Sequence, residues 1–113
     1  MVNQRKDMAL DIREKMRGGN GQAEITKLSG KLPENVRLFG EIRLAPGSSI
    51  GYHVHENETE MFAFVSGTGR VQDDGEYRDV KAGDSMLTFS GHGHAVENTG
   101  DEDLVLIAVI VKE

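Results

Sequence analysis

The chain consists largely of short runs in which apolar and polar residues alternate, and glycine-rich turns separate these runs. The clearest run spans residues 35–44. Alternation with a period of two is typical of a β-strand with one buried face, because successive side chains point to opposite faces of the sheet. We expect the following residues to face the core: Val36, Leu38, Gly40, Ile42 and Leu44. Arg37 and Arg43 fall on the opposite face beside Glu41, and we interpret them as solvated.

Seven further runs predict strands, and turn signals predict how they connect. The runs cover residues 50–55, 59–66, 69–72, 77–80, 85–89, 95–98 and 104–112. Between two of them, Asp74 and Gly75 form a specific hairpin signal, because a type I′ turn requires positive φ at both central residues. Short strands at regular intervals favour a sandwich or barrel over a fold of alternating strands and helices. The sequence therefore predicts an all-β fold.

The N-terminal residues allow two interpretations. Met8, Ile12 and Met16 recur at intervals of four before a pair of glycines, which suggests one short helix. Met8, Leu10 and Ile12 also fit a strand, since they alternate with polar residues or alanine. We therefore treat residues 1–21 as an irregular N-terminal segment that precedes the main domain.

Length and charge exclude several classes of protein. A chain of 113 residues fits one ordinary domain. The net charge of -6 disfavours a nucleic-acid partner, because phosphate backbones and anionic lipid headgroups are also negative. The longest apolar run is far shorter than the roughly 18 residues of a membrane span, and charged residues near the N-terminus interrupt any signal-peptide pattern. We predict a cytoplasmic protein with no nucleic-acid or membrane partner.

The last predicted strand is apolar on both faces over residues 104–111. Such a strand needs cover on its outer side as well as on its inner side. Either a second subunit or the N-terminal segment could supply that cover, and we predict a homodimer.

The histidines form a second informative pattern. All four lie in two clusters, His53 with His55 and His92 with His94, and Glu60 follows the first cluster by five residues. On a strand, residues two apart share a face, so His53 and His55 present two imidazoles to one ion. The chain has no cysteine, so only nitrogen and oxygen ligands remain. We predict one divalent metal site with these ligands: His53, His55, Glu60 and His94.

Glycines flank the predicted ligands at regular spacings. The first motif reads Gly47, five residues, His53-Val54-His55, four residues, Glu60, six residues and Gly67. The second reads Gly83, five residues, Phe89-Ser90-Gly91, two residues, His94, three residues and Asn98. Both resemble the two motifs of the cupin family, with one departure, because Phe89 stands where the family usually has proline.

The resemblance implies a fold and a class of function. The fold is a single cupin β-barrel, a double-stranded β-helix or jelly roll, over residues 22–113, with the metal site inside it. With one copy of each motif, the chain resembles small single-domain cupins that are described as oxalate-decarboxylase-like. In the decarboxylases an arginine stands three residues before the first histidine, and in the oxidases an asparagine does. Ile50 occupies that position here, and an aliphatic side chain cannot pair with a carboxylate, which weighs against oxalate decarboxylation.

The ion and the pocket remain open to more than one interpretation. Manganese or iron is our first expectation, since both take these ligands and leave room for a substrate, and nickel or zinc is the alternative. Alternation from Glu60 places Phe62 and Phe64 on the ligand face, and Val96 lies two residues beyond the last ligand. Together with Ile50, these side chains form either a substrate pocket or simply the core.

His92 is the histidine left over from the metal site. It lies two residues before His94 at a glycine-bounded turn, and an imidazole titrates near neutral pH. We treat it as a candidate catalytic proton shuttle. The alternatives are a metal ligand in place of His94 or an exposed loop residue without a role.

Two functions follow from these expectations. The first is a metal-dependent enzyme of dioxygenase, decarboxylase or isomerase type that acts on a small carboxylate or another oxygen-rich molecule. The second is a non-catalytic cupin module that binds a small molecule or a metal. We favour the enzyme, because ionisable ligands that replace core packing are typical of a functional site.

Overall fold

The computed structural model describes every residue from 1 to 113 and contains ten β-strands. Their bounds are β1 Ala9–Glu14, β2 Gln22–Lys27, β3 Val36–Leu44, β4 Ser49–Val54, β5 Glu58–Ser66, β6 Thr68–Asp73, β7 Glu76–Lys81, β8 Ser85–Thr88, β9 Gly93–Asn98 and β10 Leu104–Lys112. Two short 3₁₀ turns, Arg5–Asp7 and Met16–Gly18, are the helical elements. No helix has the length and apolar character needed to cross a membrane. The predicted all-β fold is confirmed.

The strands form two antiparallel sheets that pack face to face. The larger sheet has the order β1-β2-β3-β10-β5-β8, and the smaller has the order β4-β9-β6-β7. No strand pairing joins the two sheets, so the predicted jelly roll is a two-layered sandwich and not a closed cylinder. The core lies between the layers, and its most deeply buried apolar side chains are Leu44, Leu104, Leu106 and Ala108.

The position of β10 explains its apolar character. It lies between β3 and β5 at the centre of the larger sheet, and every second side chain enters the core. Ile107 and Val109 point to the outer face of the sheet and remain half-buried. The N-terminal segment extends the edge of the sheet as β1 beside β2, and Arg5, before β1, reaches Glu41, which lies opposite Ile107. A second subunit remains the predicted cover for the rest of this face.

Of the two interpretations of the N-terminal segment, the strand is confirmed. β1 pairs antiparallel with β2, and the outer-face side chains of Leu10 and Ile12 are exposed. The pattern did not lead us to predict β2, although its buried residues, Ala23 and Ile25, alternate. Our division of the chain after residue 21 falls between these two paired strands, and it stays a prediction.

The strands predicted from residue 35 onward coincide with β3 to β10 to within two residues at either end. Asp74, with φ 50°, and Gly75, with φ 87°, form a two-residue turn between β6 and β7. Positive φ at both positions is the signature of the type I′ hairpin that the sequence predicts.

Three register shifts interrupt the strand pairings, and two of them, the bulges in β4 and β3, affect the residues near the histidines. In β4, Ile50 pairs with Val96 and His53 pairs with His94, so β4 has one residue more than β9 over this stretch. In β3, Leu38 pairs with Ile110 and Val36 pairs with Val111, so Arg37 is the extra residue relative to β10. An extra residue exchanges the faces of the residues beyond it. As a result, Ile50 and His53 face the same side even though they are three residues apart.

Candidate metal centre

Three parts of the chain bring the predicted ligands to one place. His53 on β4 lies directly opposite His94 on β9. His55 follows β4 by one residue, and Glu60 lies on β5 in the larger sheet. The four side chains therefore meet between the two sheets. His55, Glu60 and His94 are buried, and His53 is partly exposed.

The distances within this cluster fit a single ion. The four donor atoms lie within 4.8 Å of one another. His94 Nε2 lies 3.1 Å from His55 Nε2 and 3.2 Å from His53 Nε2. Glu60 Oε1 lies 2.9 Å from His55 Nε2 and 3.0 Å from His94 Nε2. Neighbouring ligands with metal bonds of about 2.1 Å lie about 3 Å apart, so the spacing suits one divalent ion.

Each imidazole turns its Nε2 inward while a neighbour holds its Nδ1. The pairs are His53 with the carbonyl oxygen of Gly51 at 2.8 Å, His55 with the carboxylate of Glu58 at 3.0 Å and His94 with the hydroxyl of Thr88 at 2.7 Å. Carbonyl and carboxylate oxygens only accept, so in the neutral rings of His53 and His55 the proton lies on Nδ1 and the Nε2 lone pair faces the centre. Lone pairs beside the Glu60 carboxylate form a donor set that suits a cation.

The electrostatics of the cluster agree with that donor set. Burial by itself raises the pKa of the Glu60 carboxyl, but hydrogen bonds and charge from His55 and His94 outweigh it and lower that pKa to about 2. The hydrogen bond with Glu60 raises the pKa of His55. Burial lowers the pKa of His53, and the nearby charge of Arg17 acts in the same direction. Glu60 is therefore ionised at neutral pH, and either a protonated imidazole or a metal ion can supply the positive charge beside it.

A cavity of about 600 Å³ opens onto the cluster. Ile50, Phe62 and Val96 line it, and the Phe62 ring stacks on the His94 ring with 5.0 Å between centroids. Phe64 does not line the cavity, because it is buried beside Phe62 with 6.1 Å between ring centroids. The structure thus places three of the predicted pocket residues at the cavity and Phe64 in the core.

Cationic side chains also line this cavity, although the protein as a whole is acidic. They are Arg13, Lys15, Arg17, Lys27 and Arg37. Arg13 forms an ion pair with Asp11, and Arg37 forms one with Glu58. The other three cations have no acidic partner in the structure. Two carboxylates, Asp11 and Glu14, also line the cavity, so positive charge is in excess around its opening, and this excess favours an anionic ligand.

The structure does not bring His92 to the cluster. Its ring is exposed, and its Nδ1 contacts the carboxylate of Asp74 at the hairpin between β6 and β7. Asp74 also accepts a hydrogen bond from the backbone N–H of Gly93 at 2.9 Å. His92 does not line the cavity, so neither a proton shuttle nor a metal ligand at this position has geometric support.

Sequence reasoning missed the side chains that orient the ligands. Glu58, which holds His55, shares the face of Glu60 two residues later on β5, and this alternation is a signal that could have identified it. Arg37, which we interpreted as solvated, lines the cavity and donates to both carboxylate oxygens of Glu58 at 3.0 Å and 2.7 Å. The bulge in β3 accounts for the difference, and no local pattern marks it.

Comparison with known proteins gives consistent matches. Residues 40–110 match the family model of the cupin domain. An oxalate-binding protein of Thermotoga maritima is 44% identical over 98 residues, which are 85% of this chain and 81% of that protein. The crystal structure of a predicted oxalate decarboxylase from Thermotoga maritima has a TM-score of 0.94 at 39% identity and covers 100% of both chains. A sugar phosphate isomerase of the cupin superfamily from Silicibacter pomeroyi, with a TM-score of 0.83 at 18% identity over 100% of this chain and 76% of that one, shares the fold.

Proposed function

Since this chain belongs to the cupin family, we propose that its cluster binds one divalent metal ion. The proposed ligands are His53, His55, Glu60 and His94. The observation that carries the proposal is the convergence of three imidazole Nε2 atoms on one buried carboxylate while separate neighbours hold every Nδ1. Manganese or iron is the first choice and nickel or zinc the alternative, because the donor set suits all four.

We propose further that the protein is a metal-dependent enzyme of dioxygenase, decarboxylase or isomerase type. When bound, the ion supplies a Lewis acid or a site for dioxygen activation. Phe62, Ile50 and Val96 shield one side of the cavity from water, and the cations at its opening favour a small carboxylate or another oxygen-rich molecule. The name of the oxalate-binding relative supports a small dicarboxylate as ligand.

A specific observation favours a second candidate, a non-catalytic binding module. The group expected to move protons, His92, lies outside the cavity. Glu58, the acidic group next to the ligands, is held between Arg37 and His55. General acid–base catalysis needs a group that is free to reach the substrate. A metal site without such a group suits binding better than turnover.

The proposed partners and location complete this function. A small molecule is the expected ligand, and a second copy of the chain is the expected protein partner, because the outer face of the larger sheet is rich in apolar side chains. We propose a cytoplasmic location, and neither nucleic acid nor membrane is an expected partner.

Elemental analysis of protein purified without chelator tests the metal site. We expect about one equivalent of a divalent metal per chain. A variant with both His53→Ala and His94→Ala should lose the metal, whereas the His92→Ala control should retain it. Full metal content in the double variant would contradict the proposed site.

Assays on metal-reconstituted protein separate the enzyme from the binding module. Oxygen consumption and carbon dioxide release are measured across small carboxylates and catechols, and calorimetry measures binding of the same compounds. Turnover that the double variant lacks supports the enzyme. Binding without turnover across the panel supports the module instead.

A further inference from the structure

Arg17 stands out among the residues that line the cavity. It lies in the 3₁₀ turn Met16–Gly18, far along the chain from the metal cluster. Its side chain lines the cavity and makes no hydrogen bond or ion pair within the protein, unlike Arg13 and Arg37, which pair with carboxylates. A guanidinium in this setting is free to bind an anion from solution.

The backbone around Arg17 is fixed against the strand that carries the first metal ligand. A Cβ atom at Gly51 would collide with the carbonyl of Arg17, and one at Gly19 would collide with the carbonyl of Ser49. Asn20 N–H donates to Ser49 Oγ at 2.8 Å, and Ser49 N–H donates to Asn20 O at 2.9 Å. Close backbone contact and reciprocal hydrogen bonds therefore hold this turn on β4.

The turn keeps an uncommon backbone conformation. Lys15 has φ 49° and Arg17 has φ 56°, both in the left-handed region that non-glycine residues avoid, and Gly18 follows with φ 80°. Strain of this kind persists where surrounding structure enforces it, and it is concentrated at ligand sites. Here the contacts with β4 enforce the conformation and place Arg17 at the cavity, whose inner end is formed by the four proposed metal ligands.

Arg17 is the only unpaired cation of the cavity with a guanidinium, because the other two, Lys15 and Lys27, carry ammonium groups without the planar donor fork that matches a carboxylate. Ile50, Phe62 and Val96 are apolar, and the Arg37 guanidinium already binds Glu58. If one carboxylate of a ligand binds the proposed ion, the rest of the ligand lies between the apolar side chains and the cations at the opening of the cavity.

We infer that Arg17 binds the second acidic group of a small dianionic ligand and so makes the site selective for dicarboxylates over monocarboxylates of the same size. The inference rests on the proposed metal site, which binds the first acidic group. Arg17 supplies what Ile50 cannot, a donor fork for a carboxylate, from a different part of the chain.

The test compares ligand binding by Arg17→Asn and Arg17→Lys variants in their metal-loaded forms. Asparagine removes the charge and tolerates positive φ, so the turn keeps its conformation. The control is Arg78→Asn, since Arg78 lies on β7 and pairs only with Glu76. Calorimetry measures the affinities for oxalate, a dianion, and for glycolate, a monoanion of similar size, and elemental analysis measures metal content.

We expect Arg17→Asn to bind oxalate about tenfold more weakly and glycolate nearly unchanged, with full metal content. Arg17→Lys should be intermediate, and Arg78→Asn should match the wild type. Unchanged oxalate affinity in Arg17→Asn, an equal loss for both probes, the same loss in the control or a loss of metal would each overturn the inference. So would a metal-loaded wild type that binds neither probe. A wild type without metal is a separate outcome, because it removes the proposed function itself.

Discussion

At the scale of single residues, one cross-strand pair contains a proposed metal ligand and the residue that orients another proposed ligand. Glu60 and Thr88 lie directly opposite each other on β5 and β8. Glu60 is a proposed ligand, and the Thr88 hydroxyl bonds to Nδ1 of His94, another proposed ligand. Thr88 is not a proposed ligand itself, but its hydroxyl orients the ring of one.

Replacing Thr88 by valine tests this orienting role. Thr88→Val keeps the shape of the side chain but removes the hydroxyl, so the His94 ring loses its partner. We expect metal affinity to fall by about tenfold, as measured by competition with a chromophoric chelator. Thr26→Val on the outer face of β2 is the matched control and should bind metal like the wild type. Equal affinity in all three proteins would show that Thr88 has no orienting role.

A second residue-scale prediction concerns pH and the ion pair between Arg5 and Glu41. The hydrogen bond from Arg5 lowers the pKa of Glu41 below its usual 4.5. A lowered folded-state pKa contributes stability that is fully present above the unfolded value and is lost as the pH falls through the folded value. In urea denaturation, Glu41→Gln should be less stable than the wild type at pH 7, and the difference should shrink as the pH drops below 4.5. The exposed, unpaired Glu97 gives the control Glu97→Gln, and a difference that persists into strong acid would argue against this account.

At the scale of elements, close backbone contact fixes the turn Met16–Gly18 against β4. Gly51→Ala would place a methyl group against the carbonyl of Arg17. We expect a loss of about 2 kcal/mol in the free energy of unfolding, because overpacked backbone has to shift. Urea denaturation measures it. Gly30→Ala is the control, because a Cβ there meets no atom within 4 Å, and it should change stability little. Equal stabilities of the two variants would show that the contact between β4 and the turn is not tightly packed.

The elements also show which features the sequence pattern could predict. The grouping of His53, His55 and Glu60 could be predicted because strand alternation and a short turn are local properties of the sequence, whereas His94 was assigned from the second histidine cluster and the resemblance to the cupin motifs. Arg17 could not be assigned, since its position depends on backbone contact between segments far apart in the chain. The same holds for β2, whose short alternation is clear only once β1 and β3 flank it. Local periodicity predicts faces, but it does not predict partners.

At the scale of the whole molecule, a row of apolar side chains crosses the outer face of the larger sheet. Phe39, Val109, Met61 and Leu87 lie side by side on four neighbouring strands in register. Phe39 and Leu87 are 38% and 47% exposed. A continuous apolar row on a central sheet face is typical of a subunit interface.

We predict that two copies of the chain associate through this row, so Met61→Asp should shift the predicted dimer to monomer, because the aspartate would bring an unpaired charge into the apolar row. Sedimentation equilibrium measures the change. Tyr77→Asp on the smaller sheet is the control, and Tyr77 is 65% exposed. A wild type that sediments as a monomer, or a control that dissociates equally, would argue against this interface.

The bulge in β4 exchanges the two faces of the strand, so it decides which residues enter the cavity. Upstream of it, the even positions of the strand enter the cavity, as Ile50 does, and downstream the odd positions do, as His53 and His55 do. Plain alternation back from His53 would bring Gly51 and Ser49 to the cavity, whereas the bulge brings Ile50 there. One irregular residue in β4 therefore decides that an aliphatic side chain lies beside the proposed metal ligands.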